Sequence, residues 1–205
     1  MKKKVLATVL MILTVCLMSA CGSSGSEEQG ETESQPDSTA EESADAATPE
    51  TMVIYFSVTG NTEGVADAIA QITGADTYKI EAEEPYTDAD IDYNNDSSRA
   101  SVEQDDPTVR PAFAGETPSL EGVTTVYLGY PIWFGQEPRI MDTFVEAIDF
   151  DGVTVIPFCT SGSSGIGDSA KNLEQNAGSG TWLDGKRFSA GASEDELKSW
   201  IESLQ

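Results

Sequence analysis

Met52-Val53-Ile54-Tyr55-Phe56-Ser57-Val58-Thr59-Gly60-Asn61-Thr62 is the stretch on which the fold of this chain turns. Its first five residues are uninterrupted apolar, which suits a parallel strand covered on both faces. From Asn61 the period changes. Val65, Ala66, Ile69 and Ile72 fall on one helical face, and Gly74 stands where a helix stops. The turn between strand and helix, Ser57 to Thr62, carries hydroxyls, an asparagine and Gly60, and no Lys or Arg. A helix N-terminus offers unpaired N–H groups and a partial positive charge, and glycine permits close backbone approach. The turn therefore reads as a phosphate cradle without a cation, although such residues also serve as a plain helix cap. The Gly-Lys-Ser/Thr ending of a P-loop is missing, which argues against ATP chemistry.

Outward from this stretch, strand-like and helix-like patterns alternate. Thr77 to Ile80, Val123 to Tyr130 and Val153 to Cys159 read as strands, and a short one lies near Arg187 to Ala190. Pro157 removes a ladder donor and predicts a bulge or unpaired site in the fourth strand. Helices are expected over Asp88 to Gln104, from Pro138 through Ile140, Phe144 and Ile148, and over Asp168 to Gln175. The last helix opens with a capping box, Ser193 and Glu196, and buries Leu197, Trp200, Ile201 and Leu204. The alternation calls for an α/β fold with a doubly wound parallel sheet and helices on both faces. Its ligand belongs beyond the carboxyl ends of the strands.

Two more loops lie at such ends. Tyr130-Pro131-Ile132-Trp133-Phe134-Gly135 sets two adjacent aromatics after a buried strand, which suits a flat ring or, equally, an interface or the closing of the sheet's end. Thr160-Ser161-Gly162-Ser163-Ser164-Gly165-Ile166-Gly167 is rich in backbone donors, though a mobile surface loop has the same composition. Its glycines do not follow the Gly-x-Gly-x-x-Gly dinucleotide order. A doubly wound sheet brings all three loops together. One ligand with a phosphate at one end and a flat ring at the other would use them all.

Composition narrows the chemistry. The chain has 205 residues, 36 Asp+Glu against 11 Lys+Arg, no histidine and a formal charge of −25. Such a surface repels phosphate backbones, so no nucleic-acid partner is expected. The lack of histidine excludes His-based metal sites and Ser/His/Asp or Cys/His catalysis. Residues 52–205 hold 27 of the carboxylates against eight basic residues, so the acidity belongs to the folded part as well.

Residues 1–20 read as a leader: Lys2, Lys3 and Lys4, then an apolar run from Val5 to Met18 that falls short of the ~20 residues a membrane span needs. With Met18-Ser19-Ala20 before Cys21, the segment resembles a bacterial lipoprotein signal, which implies cleavage before Cys21 and a lipid on its sulfur. An ordinary secretory signal leaving a free thiol is the alternative. Either way Cys159 has no partner within the domain. Residues 21–51 form an acidic tether with no Lys or Arg, unable to bury enough apolar surface to fold and spanning about 30 Å on average. The expected domain is residues 52–205, held at the outer side of the cell membrane by its lipid.

The three loops together resemble a family, the flavodoxin-like proteins, in the branch with Tyr-Phe-Ser-x-Thr-Gly-Asn-Thr, Tyr-Pro-Ile-Trp and Phe-Cys-Thr-Ser-Gly motifs. Here these stand at Tyr55 to Thr62, Tyr130 to Trp133 and Phe158 to Gly162. The resemblance implies a five-stranded parallel sheet of order 2-1-3-4-5 in a three-layer α/β/α sandwich, and noncovalent FMN. It places Ser57, Thr59, Gly60, Asn61 and Thr62 on the phosphate. Pro131, Ile132, Trp133, Phe134 and Gly135 would line one side of the isoalloxazine, and Thr160, Ser161, Gly162 and Gly165 the other edge. The implied function is electron transfer outside the cytoplasmic membrane to a redox partner protein with a basic docking face or to a small redox acceptor. An FMN-dependent NAD(P)H:quinone-type reductase and a flavin-free module with the same fold are the other readings. A charge about 10 Å from the ring at an effective dielectric of about 20 costs roughly 1.7 kcal/mol, or about 70 mV for one electron. The carboxylates therefore predict a low potential for forming the fully reduced flavin. Ala82 to Gly122, with 11 acidic residues, exceeds what a crossover helix needs; the surplus is a solvated acidic segment or a lid over the flavin edge. Arg99 and Glu103 form an i, i+4 pair, Cys159 is expected to be buried and inert, and Trp182 and Trp200 to pack the core.

Overall fold

The computed structural model describes residues 50–204. The leader, Cys21 and nearly all of the acidic tether lie outside the described residues. The elements in chain order are β1 (Glu50–Phe56), α1 (Asn61–Thr73), β2 (Asp76–Ile80), α2 (Arg99–Asp105), β3 (Val123–Pro131), α3 (Arg139–Ala147), β4 (Thr154–Thr160), α4 (Ser169–Ala177), β5 (Thr181–Trp182), β6 (Lys186–Phe188) and α5 (Glu194–Glu202). The strands are parallel throughout and run β2-β1-β3-β4-β5, with β6 also paired to β4. This is the expected 2-1-3-4-5 order, with its fifth position shared by two short segments.

The central strands alternate between two buried layers, which is why their sequence reads as continuous apolar. Val53 and Tyr55 of β1 pack with α1 and α5, while Ile54 and Phe56 pack on the opposite side with α2, α3 and α4. On the first face α1 contributes Val65, Ala66 and Ile69, and α5 contributes Leu197, Trp200 and Ile201; on the second stand Ile140, Phe144 and Leu173. Each such fully buried side chain contributes roughly 1.5–3 kcal/mol relative to exposure. Gly129 of β3 faces Phe158 of β4, and a Cβ there would stand 2.2 Å from that ring. The glycine makes room for the phenyl ring in the sheet's middle.

Pro157 behaves as its chemistry requires. β5 pairs with Thr154 and Val155, β6 with Phe158 to Thr160, and the break between them falls opposite Pro157. Gly185 fills the break, where a Cβ would lie 3.0 Å from the Pro157 carbonyl oxygen. The sequence pattern missed β5, two residues long, and set β6 one residue late. At the other end β1 reaches back to Glu50, two residues before the apolar run, because backbone pairing does not require Glu50 to be buried.

The expected helix over Asp88 to Gln104 is a correction. Only Arg99 to Asp105 is helical. Before it, side chains take the backbone donors: Thr87 N–H donates to Asp90 Oδ2 at 2.8 Å, Asn94 N–H to Asp92 Oδ1 at 2.9 Å and Ser97 N–H to Asn95 Oδ1 at 3.0 Å. Short Asp and Asn side chains favour these local turns over a helix. In α5 the cap forms as expected, Glu196 N–H donating to Ser193 Oγ at 3.2 Å, while Leu204 is only partly buried.

Candidate functional site

The carboxyl ends of β1, β3, β4 and β6 meet around a cleft of about 330 Å3. Its walls are Thr59 and Asn61 from the first loop, Pro131, Ile132 and Trp133 from the second, and Thr160, Ser161 and Gly162 from the third. Ile91, Tyr93, Ser189 and Ala190 complete it. A wider groove of about 650 Å3 opens between α1 and α5 at the amino ends of the strands, lined by Thr51, Thr125 and Thr154. That is the end of a doubly wound sheet where ligands do not bind.

The first loop leaves the start of α1 uncapped. Gly60 is the N-cap of α1 at φ 82°, no side chain caps the helix, and the first helical bond runs from Gly64 N–H to the Gly60 carbonyl at 2.9 Å. The first-turn amides are thus left without a side-chain acceptor. A Cβ on Gly60 would meet nothing within 4 Å, so it is the positive φ and not crowding that calls for glycine there. Ser57 is buried and its Oγ has no hydrogen-bond partner. Thr62, also buried, shares a hydrogen bond of 2.7 Å with Thr160 Oγ1, which fastens the first loop to the end of β4. Ser57 lines a neighbouring pocket of about 230 Å3 with Phe56, Val58, Ile80 and Tyr86; an orphaned hydroxyl and uncapped amides carried by one loop fit a phosphate ester.

In the second loop, Trp133 and Gln136 exchange two backbone hydrogen bonds of 2.9 Å across a two-residue turn. Phe134 (φ 50°) and Gly135 (φ 83°) are both left-handed, the requirement of a type I′ turn. A phenylalanine there costs on the order of 1 kcal/mol. The turn separates the two aromatics expected to face a ring together. Trp133 is buried, edge-on to Phe56 at 5.6 Å and to Tyr86 at 5.1 Å, and reaches the cleft. Phe134 is 43% exposed and meets the Tyr93 ring at 5.0 Å, outside the cleft wall.

Residues 82–122 support this wall. Tyr86, edge-to-face with Trp133, donates its hydroxyl to Glu103 Oε2 at 2.6 Å and lies 3.9 Å beneath the Arg99 guanidinium. Arg99 Nε in turn pairs with Glu103 at 2.6 Å and its NH1 donates to the Glu84 carbonyl at 2.7 Å. Arg99 and Glu103 thus form more than the expected surface pair: they hold the aromatic that backs Trp133. With Ile91 and Tyr93 on the cleft, the segment covers one side of the site.

The third loop is pinned from β6. Arg187 NH2 donates to the carbonyls of Ser161 at 2.5 Å and Gly162 at 3.0 Å, and Nε donates to Ser161 Oγ at 3.2 Å. Ser161 Oγ donates to the Ser164 carbonyl. Beneath the second loop lies a buried ionic network. Arg139 NH1 is 3.5 Å from Glu137 and 3.3 Å from Asp142, all three nearly inaccessible, and Asn172 and Asn176 of α4 donate to the two carboxylates. Burial pushes the Glu137 carboxyl up to about 7 and raises Asp142 as well. Cys159 is fully buried and burial pushes its thiol up to about 12, so it is the inert cysteine expected. Trp200 packs between Tyr127 and Phe188, and Trp182 against Phe150.

Of the residues predicted for the site, Thr59, Asn61, Pro131, Ile132, Trp133, Thr160, Ser161 and Gly162 line the cleft. Gly60 and Thr62 shape the first loop without lining the cleft, and Ser57 lines the neighbouring pocket instead. Phe134, Gly135 and Gly165 are not in its wall. Ile91 and Tyr93 escaped the sequence reading because they sit in an acidic run without periodicity. Ser189 and Ala190 follow the short strand near Arg187, and the rule that ligands sit at strand ends could have found them.

An all-parallel sheet of this order with an uncapped helix start at its central switch point belongs to the doubly wound class, whose ligands sit at that point. The family model for flavodoxin matches residues 50–204, and the chain belongs to that family. It is 38% identical to a protein of Bacteroides eggerthii assigned as a flavoprotein, with a TM-score of 0.71 over 77% of this chain and 98% of that one. A second, from Bacteroides uniformis, is 42% identical with the same TM-score of 0.71, covering 75% and 98%. A flavoprotein of Lactobacillus acidophilus solved in complex with FMN shares the fold at 16% identity and a TM-score of 0.56, covering 75% and 99%. No curated protein matches the chain.

Proposed function

We propose that this domain holds FMN noncovalently in the cleft and carries electrons at the outer side of the cytoplasmic membrane, fixed there by lipid on Cys21. The observation that carries the cofactor is the uncapped first turn of α1, on the loop that also carries the buried Ser57 hydroxyl without a partner. Ser57, Thr59, Asn61 and the α1 amides would hold the phosphate, with Gly60 supplying the left-handed turn between them. Pro131, Ile132 and Trp133 would exclude water from one side of the ring, and Thr160, Ser161 and Gly162 would face its edge. FMN supplies reversible electron uptake when bound. A carrier rather than a reductase is favoured because none of the side chains lining the cleft is basic, so the lining offers no cation to the phosphates of a nicotinamide dinucleotide. The lipobox-like Met18 to Cys21 supports the location, and the acidic surface suits a redox partner with a basic docking face.

The test is a titration of the purified chain with FMN, read by its visible spectrum and by quenching of flavin fluorescence. Saturable binding is expected, and Gly60→Val, whose β-branched side chain is strained at φ 82° and would remodel the turn, should lose it. A wild-type chain that leaves FMN free in solution overturns the cofactor. Steady-state NAD(P)H oxidation by the loaded protein would favour the reductase reading. Incorporation of labelled fatty acid, abolished by Cys21→Ser, checks the anchor.

A further inference from the structure

The domain's eight basic residues stand among many more carboxylates, so a cation left unneutralised is informative. Lys79, Arg99, Arg110, Arg139, Lys171 and Lys198 all have a carboxylate partner. Lys186 and Arg187 have none among the described residues, and they are adjacent on β6, at the edge of the cleft. Lys186 turns to the Phe188 ring, 5.0 Å from its centroid. Arg187 is held instead by backbone of the third loop, its guanidinium donating to the Ser161 and Gly162 carbonyls.

This grip fixes the loop's polarity. In a trans peptide the C=O and the following N–H point in opposite directions. With the Ser161 and Gly162 carbonyls drawn to Arg187, the N–H groups of Gly162 and Ser163 point away from it. Ser161 and Gly162 line the cleft, so a positive charge without a counter-ion stands directly behind that wall. Carbonyl oxygens orient a guanidinium without cancelling its charge, as a carboxylate would. In a partly buried position that charge is screened less than one in water.

We propose that Arg187 is a positioning residue that favours negative charge in the cleft, and so makes the site bind the reduced, anionic flavin relatively more tightly than a neutral residue there would allow. This rests on FMN being the ligand. Two electrons and one proton from a low-potential donor turn the neutral oxidised ring into an anion, so reduction adds one negative charge at the site. The acidity of the whole domain opposes that charge, and Arg187 offsets it locally.

The experiment measures dissociation constants for oxidised and dithionite-reduced FMN, together with the two-electron midpoint of the bound flavin, in wild type, Arg187→Gln and Arg187→Lys. Arg187→Gln is expected to weaken reduced FMN about tenfold more than oxidised FMN, a fall of about 30 mV in the two-electron midpoint. Arg187→Lys, which keeps the charge, should restore most of that difference. Thermal unfolding without FMN reports folding separately, and Arg187→Met, with similar length, replaces the glutamine variant if that one does not fold. A neutral variant that weakens both forms equally, or neither, overturns this role while leaving FMN as the ligand. A wild-type chain that binds no FMN overturns both.

Discussion

Ser57 illustrates how one atom can point to a ligand. A buried hydroxyl without a partner costs about 1–3 kcal/mol, and a bound phosphate oxygen would relieve it. Ser57→Ala should therefore leave the ligand-free domain equally stable or slightly more stable, yet weaken FMN binding by about tenfold. Chemical denaturation and fluorescence titration measure the two effects, and lost affinity without lost stability separates a binding role from a folding one. Glu137 carries a different signal. Burial puts its folded value at about 7 against an ordinary value of 4.5, and Asp142 is shifted the same way. The folded state thus keeps a proton that the unfolded chain has lost, so this contribution to stability is present below about pH 4.5 and disappears as pH rises through about 7. Unfolding free energy should fall by a few kcal/mol across that window, on the order of 1.4 per pH unit while only the folded state is protonated. Urea unfolding at successive pH values should show the slope in wild type and a flatter profile in Glu137→Gln.

At the scale of the elements, the sheet's interior admits little change. Gly129→Ala drives a methyl into the Phe158 ring, with 2.2 Å to the nearest ring atom, and should destabilise the domain by about 1–3 kcal/mol, read as a lowered melting temperature. Much of this architecture was legible beforehand. β1, β3 and β4 were readable because strands covered on both faces need apolar residues at every position, and α1 and α5 because Gly74 and Ser193 mark their ends. The break in the fifth strand was half legible: Pro157 announced a missing donor, while two- and three-residue strands give no period to detect. The shortened α2 was hidden by Asp90, Asp92 and Asn95, whose local turns compete with the longer helix expected of the crossover. In the site, three loops could be placed by their position after strands. The opposed directions of Trp133 and Phe134 could not, because a type I′ turn with phenylalanine in its first central place runs against local preference. Tyr93 came to the cleft through packing on Phe134, which no spacing encodes.

For the molecule as a whole, charge is the dominant property. With 27 carboxylates against eight cations in residues 52–205, self-repulsion and the field at the cleft both weaken as salt rises. The midpoint of the bound flavin is expected to lie below that of free FMN and to climb toward it with added salt; spectroelectrochemistry at several ionic strengths would reveal the trend, and a bound value above the free one would contradict it. The direction of β1 has a further result. All strands point the same way, so Glu50 begins at the end of the sheet remote from the cleft, about seven residues or some 20 Å from Phe56. A handle grafted onto the amino side, whether a fatty chain or a biotin on a sensor chip, would grip the molecule by its heel and leave its mouth turned outward, free to meet whatever arrives from solution.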